Sequence, residues 1–485
     1  MNQPVRRLSL VVAFLFACLF VSTTLIQFFE ANAINARPDN RRTLLSSYGR
    51  ERGQILVGGQ AMAKSAASSD EYKWQRSYPG GETYAHVTGY YSFIYGAGGG
   101  LERVENALLS GASDKLFYRR IADLFTGKKP TGASLDLTLN PAAQKAAVAA
   151  LGNQRGAVVA LDPHTGAILA MVSNPSYNPN ALASHDPKKQ EAAWTKLNDD
   201  KATPMLNRSI NQLYPPGSTF KLVVTAAALS SGSWNPESEL PGPAVLDLPQ
   251  TSVGLPNHGK VPCSATGTIT LADALRTSCN PAFGYLGMQL GDGAVGDQAA
   301  KFGFGDALSV PLRVSTSIWP ANLNQPQLAQ ASIGQYDVRA TPLQVAMISA
   351  AIANDGVVMQ PYLIAKAIAD DELTVVDRAR PEQLSRAVSG SVAAELTTMM
   401  ESVVSNGTGT AAQIPGVSVA GKTGTAEHAA GKAPHAWFTG FAPAEDPRVA
   451  VAVVVEDGGN AGNEAAGGSV AGPIAKAVME AVLKR

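Results

Sequence analysis

Three short polar motifs carry the reactive side chains of this chain: Ser218-Thr219-Phe220-Lys221, Ser278-Cys279-Asn280 and Lys422-Thr423-Gly424. Singly each is weak, since S-x-x-K occurs about once by chance in a chain of this length. Together they supply a serine nucleophile, a lysine to activate it, a second serine and lysine to pass a proton, and a backbone anion site. Serine acyl transfer without histidine uses such a set. Ser218 and Lys221 lie three residues apart at the start of an apolar segment, so a helix there puts both on one face. Its unpaired N–H groups favour developing negative charge. A buried lysine near another cation has a depressed pKa, which suits Lys221 to general-base work. Ser278 and Asn280 read as alternate residues of an extended loop, facing the same way. The hydroxyl would pass a proton and the amide would hold a substrate backbone. Lys422, Thr423, Gly424 and Thr425 read as an edge strand. There Gly424 would admit a substrate backbone, Thr423 and Thr425 would bind a carboxylate, and one N–H would join that of Ser218 in an oxyanion hole.

Other chemistries fit less well. Residues 416–423 match the G-x-x-x-x-G-K-[ST] phosphate loop, but that motif needs a strand before it and a helix after it. Here Gln413-Ile414-Pro415 precedes, Gly424 follows, and the interior alternates like a strand. None of the six histidines forms an H-E-x-x-H pair, so no metal is expected, nor any cofactor. His428 and His435 would allow a Ser–His arrangement with Ser218. However, Gly217-Ser218 lacks the second glycine of a nucleophile elbow, and ordinary loop histidines are the preferred reading. Lysine plus arginine equals aspartate plus glutamate, 39 against 39, which argues against nucleic acid as a partner.

The elements that must position these residues follow from pattern. Residues 8–29 carry no charge and are long enough to cross a bilayer, with Arg6 and Arg7 holding residues 1–7 in the cytoplasm. A cleaved signal peptide ending at Ala31-Asn32-Ala33 is the competing reading. Either exports the remainder, where Cys263 and Cys279 are free to bond across 16 positions or to stay as two small buried hydrophobes. Residues 34–151 read as a non-catalytic module, with a connector around Lys128-Lys129-Pro130-Thr131-Gly132, a strand over 135–139 and a helix from Pro141 stopped by Gly152. Residues 152–485 read as the catalytic domain. It opens with a hairpin over 157–161 and 167–172, then has helices over 219–229, 271–277, 342–354 and 392–404. Late strands follow over 417–425, 437–441 and 449–455, and a closing helix starts at Pro473. The expected fold is α+β: an antiparallel sheet flanked by helices, a small N-terminal domain and a transmembrane helix.

With these residues in view the chain resembles the class B penicillin-binding proteins, the monofunctional peptidoglycan D,D-transpeptidases. It most resembles their compact actinobacterial penicillin-binding protein A type, which is associated with cell division. The likeness rests on Tyr214-Pro215-Pro216-Gly217-Ser218-Thr219-Phe220-Lys221, the 156–175 hairpin, Ala420-Gly421-Lys422-Thr423-Gly424-Thr425-Ala426-Glu427 and Ala436-Trp437-Phe438-Thr439-Gly440-Phe441-Ala442-Pro443. It implies a β-lactamase-like, penicillin-recognising serine transferase domain. Ser218 would be acylated by the penultimate D-Ala of a stem peptide, with Lys221 as base. Ser278 and Lys422 would relay the proton, Asn280 would position the peptide, and Thr423 and Thr425 would hold its carboxylate. β-Lactams would mimic that donor. No polymerising domain is visible, so a membrane glycosyltransferase or divisome partner would build the glycan strand. A D,D-carboxypeptidase or β-lactamase on the same fold, and a non-catalytic penicillin-binding scaffold or sensor, are the alternatives. No deacylating glutamate motif follows Ser278, and the seven residues before Leu8 leave little room for a cytoplasmic effector.

Overall fold

The computed structural model describes residues 3–30, 48–127, 131–369, 374–429 and 431–484, apart from the side chains of 118, 120 and 122–124. The expected cleavage site, the start of the N-terminal module at 34 and the Lys128-Lys129-Pro130 part of the connector lie outside these residues. Gln3–Thr24 is an α-helix continued by a π-turn over Leu25–Phe29, entirely exposed, and the pair is long and apolar enough to cross a membrane.

The catalytic body is built on a five-stranded antiparallel sheet. Its strands are β1 (Gly156–Leu161), β2 (Ile168–Asn174), β3 (Ala420–Ala426), β4 (His435–Ala442) and β5 (Val449–Val455), in the order β3-β4-β5-β1-β2. Both faces are buried, so β1 and β5 are apolar throughout instead of alternating. Ala157, Val159 and Val454 enter the larger core, while Val158, Ala160, Val453 and Val455 enter a second one. Helices cover both sides: α1 (Pro141–Leu151), α2 (Lys221–Ser230), α3 (Leu271–Thr277), α4 (Asn280–Leu290), α5 (Pro342–Ala353), α6 (Gly390–Asn406) and α7 (Gly467–Leu483). Asn140 caps α1 and Thr341 caps α5, each followed by proline in the first turn.

Helix α1, placed by sequence at the end of the N-terminal module, packs against α7 in the second core of the catalytic body. The module's six-stranded sheet is likewise completed by Ile364–Ile368 and Val375–Arg378 from far along the chain. Helix α7 begins at Gly467, six residues before the expected Pro473. A Cβ at Gly467 would lie 2.1 Å from Trp437 O, so the glycines there permit close packing on the sheet and do not break the helix.

Candidate active site

Gly217–Phe220 forms a single 3-10 turn that runs into α2. With three residues per turn, Ser218 and Lys221 stack one above the other. The turn is held on several sides. Gly217 N donates to Gly334 O at 3.0 Å, Thr219 Oγ1 to Pro216 O at 2.8 Å, and Trp437 Nε1 to Pro215 O at 3.1 Å. Ser218 is half-buried, and among the described residues its hydroxyl makes no hydrogen bond.

Lys221 is fully buried. Its Nζ donates to Ser278 O at 2.7 Å and Asn280 Oδ1 at 2.8 Å, and lies 3.3 Å from Ser278 Oγ. Lys422, also fully buried, donates to the same Ser278 Oγ at 2.9 Å and to Thr423 O at 3.0 Å. Burial, and then the Lys422 charge, hold the Lys221 pKa well below the ordinary lysine value. Burial brings Lys422 down to about 7. One hydroxyl therefore joins two lysines that are both poised to lose a proton.

The second motif is built differently from expectation. Ser278 caps α3 in the left-handed conformation (φ 61°, ψ 40°), and Asn280 opens α4. The two side chains converge on Lys221 because a helix–kink–helix turns them inward, not because an extended piece alternates. A non-glycine residue in that region is strained and must be held by its surroundings. Cys279, between them, is joined to Cys263 by a disulfide and donates its N–H to Ala274 O at 2.9 Å. Asn280 is engaged by the protein itself: beyond accepting from Lys221, its Nδ2 donates to Pro256 O at 3.2 Å.

The third motif lies on β3, an edge strand that among the described residues pairs with β4 alone. Lys422 is mid-strand, in the register of Thr439, and no helix follows it, unlike a phosphate loop. Thr423 is buried with its hydroxyl 2.6 Å from that of Thr408, whereas Thr425 is half-buried. A Cβ at Gly424 would meet Thr219 Cγ2 and Trp437 Cβ at 3.0 Å and Pro216 O at 3.1 Å, so the missing side chain makes room for the turn that carries Ser218. Gly217 abuts the same strand, its φ of 54° aiming the Cβ position to within 2.8 Å of Thr425 O.

Behind the turn lies a cluster that motif reading did not find. Buried Glu456 accepts from Arg208 Nε at 2.9 Å and Tyr214 OH at 2.7 Å and pairs with Arg155 at 2.5 Å. Arg208 in turn donates to Ala202 O and Thr203 O, so one carboxylate ties Arg155 to the stretch from Ala202 to Tyr214 that leads into Pro215. The only sequence trace is a charged residue closing an all-apolar strand. His435 stands against Tyr214 and Asp457, and among the described residues makes no hydrogen bond to Ser218.

Comparison with known proteins agrees with this geometry. A family model described as the penicillin binding protein transpeptidase domain matches residues 156–480, and a penicillin binding protein A dimerisation domain matches 52–135. The chain is 44% identical to the peptidoglycan D,D-transpeptidase PbpA of Mycolicibacterium smegmatis, over 100% of this chain and 99% of that protein. It is 30% identical to the peptidoglycan D,D-transpeptidase FtsI of Escherichia coli, covering 84% of this chain and 67% of that one. The ceftriaxone acyl-enzyme of penicillin-binding protein A from M. tuberculosis superposes with a TM-score of 0.87 at 44% identity, covering 90% of this chain and 100% of that one.

Proposed function

This chain belongs to the penicillin-binding protein transpeptidase family and is a serine-type D,D-transpeptidase of cell-wall synthesis, and we propose that its acyl-enzyme forms on Ser218. The observation that carries the assignment is the Ser278 hydroxyl held between Lys422 Nζ at 2.9 Å and Lys221 Nζ at 3.3 Å, beside the turn that presents Ser218.

Lys221, as the neutral amine, takes the Ser218 proton while Oγ adds to the carbonyl carbon of the penultimate D-Ala. The oxyanion is met by the Ser218 and Thr425 N–H groups, and Ser278 with Lys422 passes a proton to the nitrogen of the departing D-Ala. The C–N bond breaks, leaving an ester on Ser218, and the amine of a second stem peptide attacks it to complete the cross-link. Thr425, with Thr423, binds the donor's terminal carboxylate. Asn280 holds Lys221 through Oδ1 and, once substrate displaces Pro256 O from Nδ2, the donor peptide. A β-lactam enters as the donor but keeps its leaving group tethered, so the acyl-enzyme persists.

The apolar helix from Gln3 to Phe29 anchors the protein with its catalytic body outside the cell, residues 52–135 serve as an interaction module, and a membrane glycosyltransferase supplies glycan strands, during division. Fluorescent-penicillin labelling of the full chain and of Ser218→Ala tests the core of this reading. The expected result is a stable adduct mapped to Ser218 by mass spectrometry and absent from a folded variant. An adduct on another residue, or none on folded wild type, overturns the assignment.

A further inference from the structure

The sequence offers His428 and His435 as loop histidines, seven positions apart. The fold brings a carboxylate to both. His435 opens β4 opposite Ala426, and Asp457 lies two residues beyond the end of β5, which brings its carboxylate to both rings. One nitrogen of each imidazole and one oxygen of Asp457 lie within 4.8 Å of one another. His428 Nε2 is 2.9 Å from Asp457 Oδ1, and His435 Nδ1 is 3.8 Å from the same oxygen. Ligand atoms about 2.0–2.1 Å from a tetrahedral ion are about 3.3 Å apart, so these two edges straddle the required separation. The rings stack with centroids 3.9 Å apart and 15° between their planes, so one imidazole must turn for both in-plane lone pairs to meet a single ion.

We infer that His428, His435 and Asp457 form a binding site for a zinc-class divalent cation that fastens the β3–β4 connection to the 456–464 loop. Two imidazoles and one carboxylate favour zinc and its first-row neighbours over magnesium or calcium, which prefer all-oxygen shells. The neighbouring carboxylate, Glu456, is taken by Arg155, Arg208 and Tyr214 and is not a ligand. Asp457 is exposed and His428 partly so, leaving a further coordination position to water. Binding through His435 Nδ1 requires one exchange, because that atom accepts the Asp457 N–H at 3.1 Å. That N–H belongs to the Glu456–Asp457 peptide, so the exchange turns the Asp457 backbone, which already has a positive φ of 51°. The site lies at the end of β3, next to the strand residues that face the nucleophile turn, with Gly217's Cβ position 3.0 Å from Ala426 Cβ. A bound cation would therefore stiffen the rim of the cleft without touching the reacting atoms.

The test is equilibrium dialysis of the full chain in detergent micelles, stripped with chelator, against Zn²⁺ and separately Mg²⁺. One equivalent of Zn²⁺ should bind with a Kd of about 10 μM or tighter, with no matching Mg²⁺ site. His428→Ala and Asp457→Asn, both at accessible positions, should each weaken binding at least tenfold and abolish a Zn²⁺-dependent rise in Tm. His428→Ala should still label with penicillin to the wild-type extent, showing that it is folded. Substoichiometric binding at 100 μM Zn²⁺, or unchanged binding in a labelled, folded His428→Ala, overturns the inference. The latter would place the ion elsewhere, as at the His185–Asp70 pair.

Discussion

Replacing Lys422 with glutamine should move the pH dependence of acylation in a direction the geometry dictates. Both lysine nitrogens touch Ser278 Oγ, at 3.3 and 2.9 Å, which caps their separation at about 6 Å. Two unit charges at that distance repel by about 3 kcal/mol at an effective dielectric constant near 20. Repulsion disfavours the charged form, so Lys422 lowers the Lys221 pKa and its removal must raise it. Because Lys422 itself loses its proton near pH 7, the full effect operates only below that. The measurement is the second-order rate constant of fluorescent-penicillin incorporation between pH 5 and 10, for wild type and Lys422→Gln. The acid limb, where Lys221 must deprotonate, should shift to higher pH in the variant. The plateau should also fall by about 10²–10⁴ from loss of the relay, but that height does not test the coupling. An acid limb that stays in place, or moves to lower pH, refutes the assignment of Lys221 as the base coupled to Lys422.

Two further substitutions probe how the site is held. Gly424→Ala would press a methyl against Thr219, Trp437 and Pro216 O at 3.0–3.1 Å. Overpacking of this kind costs about 1–3 kcal/mol and should displace the nucleophile turn, so acylation should slow more than Tm falls. If Gly424 instead serves only substrate approach, Tm will be unchanged. Glu456→Gln leaves the Arg208 guanidinium, fully buried, without its counter-charge, a change that costs about 3–5 kcal/mol in buried pairs. Thermal melts should show a loss of several degrees, and an unaltered melt would mean the cluster does not brace the turn.

Much of the site's inventory was readable from the chain alone. The candidate set Ser218, Lys221, Ser278 and Lys422, the proline-marked starts of α1 and α5, and β5 were read from local rules: spacing, proline in the first turn and unbroken apolar runs. Where local reading departed from the structure, the deciding contact came from far along the chain. Ser278 was read as extended, yet it is a left-handed cap beside a disulfide and a lysine 57 residues earlier. Gly424 was read as a door for substrate, but the room it makes for the turn depends on Thr219 and Pro216, some two hundred positions away. The closing helix was read as starting at Pro473, yet it begins at Gly467, where Gly467 and Gly468 let it approach the sheet.

The sequence by itself determined which groups are available for chemistry, because nucleophile, base, relay and anchor are properties of residue type and of spacing within a turn. Only the tertiary structure decided their charge states and their company. Lys221 and Lys422 are 201 positions apart, and their depressed pKa values exist because folding takes both out of water and sets them on one hydroxyl. Glu456 with Arg208, and Asp457 with His428 and His435, likewise become clusters only when β5 lies in the sheet, since neither desolvation nor long-range proximity is written in local pattern.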